Sequence, residues 1–141
     1  MQDIPKLEDY PLKTYDKLRY ADTDRQGHVN NAIFATFFET GRVELLYDPE
    51  DPLADPGTAF VIANLTLNFL VEVNVPGRVE IGTRVTSIGR SSFTFDQALF
   101  QSERCVARAT SVIVLMNEET RKSQNLPDRI VQRLTAVSGP S

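Results

Sequence analysis

Apolar positions along the chain follow two different periods. Across residues 31–47, Phe34, Phe37, Phe38, Gly41, Leu45 and Leu46 recur at helical spacing, with Ile33 and Val43 widening the stripe. Thr36, Glu39, Thr40 and Glu44 are left for the polar side. Asn30 or Asn31 is the expected N-cap, because a short polar side chain can accept an unpaired N–H of the first turn. The stretch Asp48-Pro-Glu-Asp-Pro-Leu-Ala-Asp-Pro-Gly ends this helix, since its prolines and glycine cannot continue one.

Beyond that loop the period becomes two. Val61, Ala63, Leu65, Leu67, Phe69 and Val71 alternate with Ile62, Asn64, Thr66 and Asn68, which predicts a long strand. Further strands are expected over 79–88, 93–101 and 105–116, punctuated by turns at Asn74-Val-Pro-Gly, Gly89-Arg-Ser-Ser and Ser102-Glu-Arg. Ahead of the helix, residues 14–21 alternate weakly and read as a first strand, followed by the turn Asp22-Thr-Asp-Arg-Gln-Gly. Residues 126–134 fit a short C-terminal helix with Pro127 in its first turn. The order is one strand, one long apolar helix, then four strands joined by hairpins. It predicts an α+β domain whose largely antiparallel sheet carries the helix across one face. Residues 1–13 read as an irregular lead-in, 14–136 as a single domain and 137–141 as a flexible tail.

Composition narrows the classes. At 141 residues, with 41% hydrophobic and 24% charged positions, the chain suits one soluble globular domain. A net charge of −4 argues against a generic nucleic-acid binder but leaves room for local arginines around an anion. Its longest apolar segments are strand-sized, so no membrane span is expected, and Met1-Gln-Asp-Ile-Pro-Lys does not resemble a secretory leader. The single cysteine, Cys105, cannot form an internal disulfide and falls in an alternating apolar run. Both points suit a core residue in a reducing cytoplasm.

Candidate chemistry concentrates ahead of the helix, where Asp22, Asp24, the only histidine (His28), Asn30 and Asn31 crowd together. Such a group marks either a site or a capping network. The order of residues contains no glycine-rich phosphate loop, zinc-ligand set or Ser-His-Asp constellation, so neither a metal nor a cofactor is expected.

Tyr20-Ala-Asp-Thr-Asp-Arg-Gln-Gly-His-Val-Asn-Asn, followed by an aromatic helix with Glu39 and Arg42, resembles the 4-hydroxybenzoyl-CoA thioesterase branch of the hotdog-fold superfamily. Gly89-Arg-Ser-Ser-Phe and the Leu-Pro at 126–127 match it too, and the resemblance runs over residues 14–134. It implies a hotdog fold, a five-stranded antiparallel sheet wrapped around one long central helix. It also implies hydrolysis of acyl-CoA thioesters without a metal, in a homodimer or homotetramer with sites at subunit interfaces.

Asp24 matches the family's catalytic carboxylate, acting as a base on water or as a nucleophile; its other reading is a turn stabiliser. Asn31 matches the position whose backbone N–H polarises the thioester carbonyl. The unpaired donors and positive dipole end of a helix start suit that role. His28 lines or supports the site, and Asp22 and Asn30 support the loop. Glu39, three residues from Arg42, reads as its ion-pair partner, although another hotdog branch places its catalytic carboxylate on the central helix. Arg90, Ser91 and Ser92 lie where the family binds CoA phosphates, which a guanidinium fork and hydroxyls suit. Two alternatives stand beside hydrolysis: a hotdog hydratase or dehydratase using His28 with Asp24, and a non-catalytic acyl-CoA binding module.

Overall fold

The computed structural model describes residues 5–24, 29, 31–75 and 77–138. Its elements are β1 (Leu12–Lys17), α1 (Asn31–Leu46), β2 (Thr58–Phe69), β3 (Arg78–Ile88), β4 (Ser92–Gln101), β5 (Arg104–Asn117) and α2 (Asp128–Ala136). The five strands form one sheet in the order β1-β3-β4-β5-β2, and every neighbouring pair is antiparallel. β1 and β2 are therefore the two edges. Phe34, Phe37, Phe38, Gly41, Arg42, Leu45 and Leu46 of α1 are buried, and the helix packs on β1, β3 and β4. A lone helix with so wide an apolar stripe buries it most completely in the concave face of a twisted sheet.

The core has two apolar halves with a polar layer between them. One gathers Phe34, Phe37 and Phe38 against Val79, Ile81 and Leu99, and the other gathers Leu45 and Leu46 against Phe93, Phe95, Ile113 and Ile130. Between them, fully buried Gln97 donates to the Phe38 carbonyl and to Thr83 Oγ1, both at 2.9 Å, and accepts from Arg42 Nη1 at 3.2 Å. Gly41 brings the helix backbone down onto this layer. A Cβ there would sit 2.7 Å from Thr83 Oγ1 and 2.8 Å from Ile81 Cγ2, so no larger residue fits without displacing its neighbours.

Local differences from the expected pattern have physical causes. β1 runs over Leu12–Lys17 rather than 14–21, because Tyr20–Asp22 closes into a 3₁₀ turn. The Asp22 carboxylate drives that turn by accepting from the Arg19 backbone N–H and guanidinium, each at 2.9 Å. Tyr10, in the expected irregular lead-in, is buried against the outer face of the sheet. Its ring meets Phe100 edge-on at 6.2 Å and lies where a Cβ on Gly82 would approach to 2.6 Å. Pro127 stands just ahead of α2 in extended conformation instead of inside its first turn, its carbonyl accepting from Ile130 and Val131. Of the expected N-caps, Asn30 lies outside the described residues, and Asn31 is the first helical residue.

β2 departs most. Phe60 pairs with Leu115 and Ile62 with Ile113, yet beyond Ala63 the register shifts, so that Leu65 pairs with Ser111 and Phe69 with Ala107. Paired residues share a face, and a bulge inserts one extra residue. Ile62 therefore joins Leu65, Leu67 and Phe69 on the helix side, where simple alternation put it opposite them. Ile62, Leu65, Phe69 and Leu70 nonetheless remain exposed, an apolar strip along an unpaired sheet edge.

Candidate active site

The turn before α1 is held from both sides. Thr23 and Val29 form an isolated antiparallel bridge, and the Val29 N–H donates to the Val73 carbonyl at 3.2 Å. The segment after β2 is pinned in turn, since the N–H groups of Leu70 and Val71 both donate to the Val106 carbonyl, at 2.9 and 3.1 Å. These ties frame a cavity of about 350 Å³ lined by Asp24, Val29, Asn31, Phe34 and the run Phe69–Val73. Its apolar wall is an aromatic pair, Phe34 and Phe69, with ring centroids 5.1 Å apart.

Asp24 and Asn31 thus share one cavity, both exposed to it. Asn31 opens the helix, so its backbone N–H has no intrahelical acceptor and carries the positive end of the helix dipole. A carboxylate and such a donor on one cavity can serve acyl transfer: one group to deliver a nucleophile, the other to receive the oxyanion. Asp22, two residues before Asp24, is 1% exposed. The Arg19 hydrogen bond holds its carboxyl below the usual carboxylate range against the opposing effect of burial. Its carboxylate is committed to the turn rather than to the cavity. His28 and Asn30 lie outside the described residues.

The remaining candidates sit elsewhere. Glu39 and Arg42 line a second cavity, of about 210 Å³, between α1 and β2. Arg42 turns inward to Gln97. Burial pushes its guanidinium pKa down, and the Glu39 charge counters part of that effect. Arg90, Ser91 and Ser92 occupy the β3–β4 turn, where the Ser91 carbonyl accepts from Leu115 and the Arg90 carbonyl from Leu126. Ser92 pairs with Val114 and Val114 with Val61, eight residues (69 − 61) from Phe69 on β2, or roughly 25 Å along the strand. Within one chain, the arginine turn and the Asp24 cavity therefore stand at opposite ends of the sheet. Glu72, which no sequence pattern singled out, also lines the Asp24 cavity; it sits in Val71-Glu72-Val73, which reads only as strand-end alternation. Among the described residues, no group of three or more His, Cys, Asp or Glu is placed to hold a metal, and no helix is long and apolar enough to cross a membrane.

The family profile described as the thioesterase-like superfamily matches residues 18–134. The chain belongs to that superfamily. The acyl-CoA thioester hydrolase YbgC of Escherichia coli O6:H1 is 28% identical over 126 residues, covering 86% of this chain and 91% of the relative. Among solved structures, a thioesterase from Thermus thermophilus complexed with coenzyme A and zinc superposes with a TM-score of 0.82 at 26% identity, over 95% of this chain and 98% of that one. A Pseudomonas aeruginosa protein reaches a TM-score of 0.86 at 24% identity, over 97% and 98% of the two chains, a likeness of fold. This thioesterase-superfamily chain shares the hotdog architecture of those neighbours from β1 to α2.

Proposed function

We propose that this protein hydrolyses acyl-CoA thioesters at the Asp24 cavity. The observation that carries the reading is the placement of the Asp24 carboxylate and the start of α1 on one cavity, in a chain of the thioesterase-like superfamily. Asp24 either takes a proton from the attacking water or attacks the carbonyl carbon itself. In both courses the carbonyl oxygen gains negative charge, and the Asn31 N–H receives it before the C–S bond breaks and coenzyme A thiolate leaves. In the nucleophilic course water then hydrolyses the mixed anhydride on Asp24, releasing the acid and restoring the carboxylate. Asp22 holds the loop through Arg19. The sequence motif offers His28 as a lining or supporting residue and Asn30 as a loop support, both outside the described residues.

The working unit is a homodimer formed along β2. An unpaired edge carrying Ile62, Leu65, Phe69 and Leu70 is a surface that proteins normally pair or cover. Antiparallel pairing of two such edges about their middles places the Phe69 end of one copy against the Val61 end of the other. The Arg90-Ser91-Ser92 turn of the second copy then approaches the Asp24 cavity of the first, positioned for the phosphates of coenzyme A. This symmetry supports a shared site that a single chain, with its roughly 25 Å separation along β2, does not assemble. Two such dimers can associate further. A reducing cytoplasm, where acyl-CoA is made and used, suits buried, unpaired Cys105.

The test incubates the purified protein with a panel of acyl-CoAs while thiol release and enoyl absorbance are followed. Thiol release supports hydrolysis; enoyl formation or loss without thiol would move the protein to the hydratases, and tight binding without turnover to the carriers. Sedimentation in the same buffer should show no stable 15.8 kDa monomer at micromolar concentration.

A further inference from the structure

The second cavity has a chemistry of its own. Its walls of Val43, Phe60 and Ile62 are apolar, but Glu39 and Arg42 also line it. Arg42 is 4% exposed, and its side-chain hydrogen bond goes to a neutral acceptor, Gln97 Oε1. A guanidinium carries five donors, and a buried cation is costly unless paired. The Gln97 bond engages Arg42 Nη1, and the residue itself lines the cleft, where an acceptor can meet its other donors. Glu39 lines the same cleft but is exposed to solvent.

We propose that this cleft receives the distal end of the acyl group, and that Arg42 selects compact acyl groups ending in an oxygen acceptor, a carboxylate or a hydroxyl. The inference rests on the thioesterase and dimer reading above. Within one chain Arg42 lies eleven residues (42 − 31) beyond Asn31, about 16 Å along the helix, too far for a short acyl group. In the antiparallel dimer, the Phe60–Ile62 side of one cleft faces the Phe69 side of the other copy's Asp24 cavity, so the acyl group crosses between subunits. At about 210 Å³ the cleft has room for a short acyl end, roughly seven water-sized groups at ~30 Å³ each.

The experiment compares kcat/KM for three CoA thioesters of equal chain length: hexanoyl, 6-hydroxyhexanoyl and 5-carboxypentanoyl. Wild type should favour both oxygen-terminated thioesters over hexanoyl by about tenfold or more, the scale of hydrogen bonds to a charged donor. Arg42→Met, with its fold verified by circular dichroism, should bring those ratios to about one while hexanoyl turnover persists. Glu39→Gln, a surface change that leaves the core intact, should raise the carboxylate ratio severalfold by removing a like charge at the mouth, and leave the hydroxyl ratio unchanged. Wild type that hydrolyses hexanoyl-CoA as well as the other two overturns the inference and leaves the hydrolase reading standing, even where Arg42→Met does not fold. Ratios that survive Arg42→Met overturn it equally. Failure to hydrolyse any thioester removes the hydrolase reading and the inference with it.

Discussion

Two carboxylates stand beside α1 in contrasting settings. Asp24 shares a cavity with Asn31, the first residue of the helix; Glu39 stands at its middle, on a cavity with a buried arginine. A helix interior has no backbone donor to lend, because each N–H is already bonded four residues back. Its first turn has several. The N-terminal end can therefore stabilise a developing oxyanion with backbone alone, whereas the middle acts only through side chains. The proposed function puts chemistry at the first position, and the inferred selectivity puts recognition at the second, although both carry an acid.

Asn31 provides the sharpest way to break that contrast. Asn31→Pro removes the backbone N–H at a position where proline is tolerated in a helix. If that donor receives the oxyanion, kcat should fall by about 10²- to 10³-fold with helix content retained by circular dichroism. Asn31→Ala keeps the N–H and should stay near wild type. Equal losses in the two variants would mean that the side chain, not the backbone, matters.

A smaller effect separates Asp22 from Asp24. The Arg19 hydrogen bond lowers the Asp22 pKa in the folded state. The stability it contributes is therefore complete above the unfolded carboxylate pKa and lost as pH falls through the folded value. Wild type should lose denaturation stability below about pH 4 more steeply than Asp22→Asn, which lacks that titration. The difference should be slight, since Arg19 is exposed to screening solvent. Identical pH profiles would remove the Arg19–Asp22 clamp from the description of the turn.

What could be read without a structure divides by range. The α1 stripe was legible because Phe34, Phe37, Phe38, Leu45 and Leu46 repeat with the helical period, and four strands followed from alternation and turn residues. The bulge at Ala63 was not, because an extra residue leaves no mark in a run of mixed apolar and polar positions. Nor was the burial of Tyr10, which depends on the space left by Gly82 on a distant strand. Asp24 and Asn31 stood out because they are neighbours in one short motif. The cavity wall at Phe69–Val73 and the Arg42–Gln97 bond join segments dozens of residues apart, a pairing that only the fold creates. The separation of Arg90 from Asp24 belongs to the same class: neither residue type reveals which end of a sheet it will occupy.

The most direct measurement compares single-turnover hydrolysis of one acyl-CoA by Asp24→Asn and Glu39→Gln at matched, saturating enzyme. Asn caps a turn about as well as Asp, so Asp24→Asn should fold and bind substrate. Catalysis at the helix start predicts that its chemical step slows by at least ~10²-fold, while Glu39→Gln hydrolyses within a few-fold of wild type. Near-normal turnover by Asp24→Asn together with an inactive Glu39→Gln would contradict this and move the chemistry onto the middle of the helix.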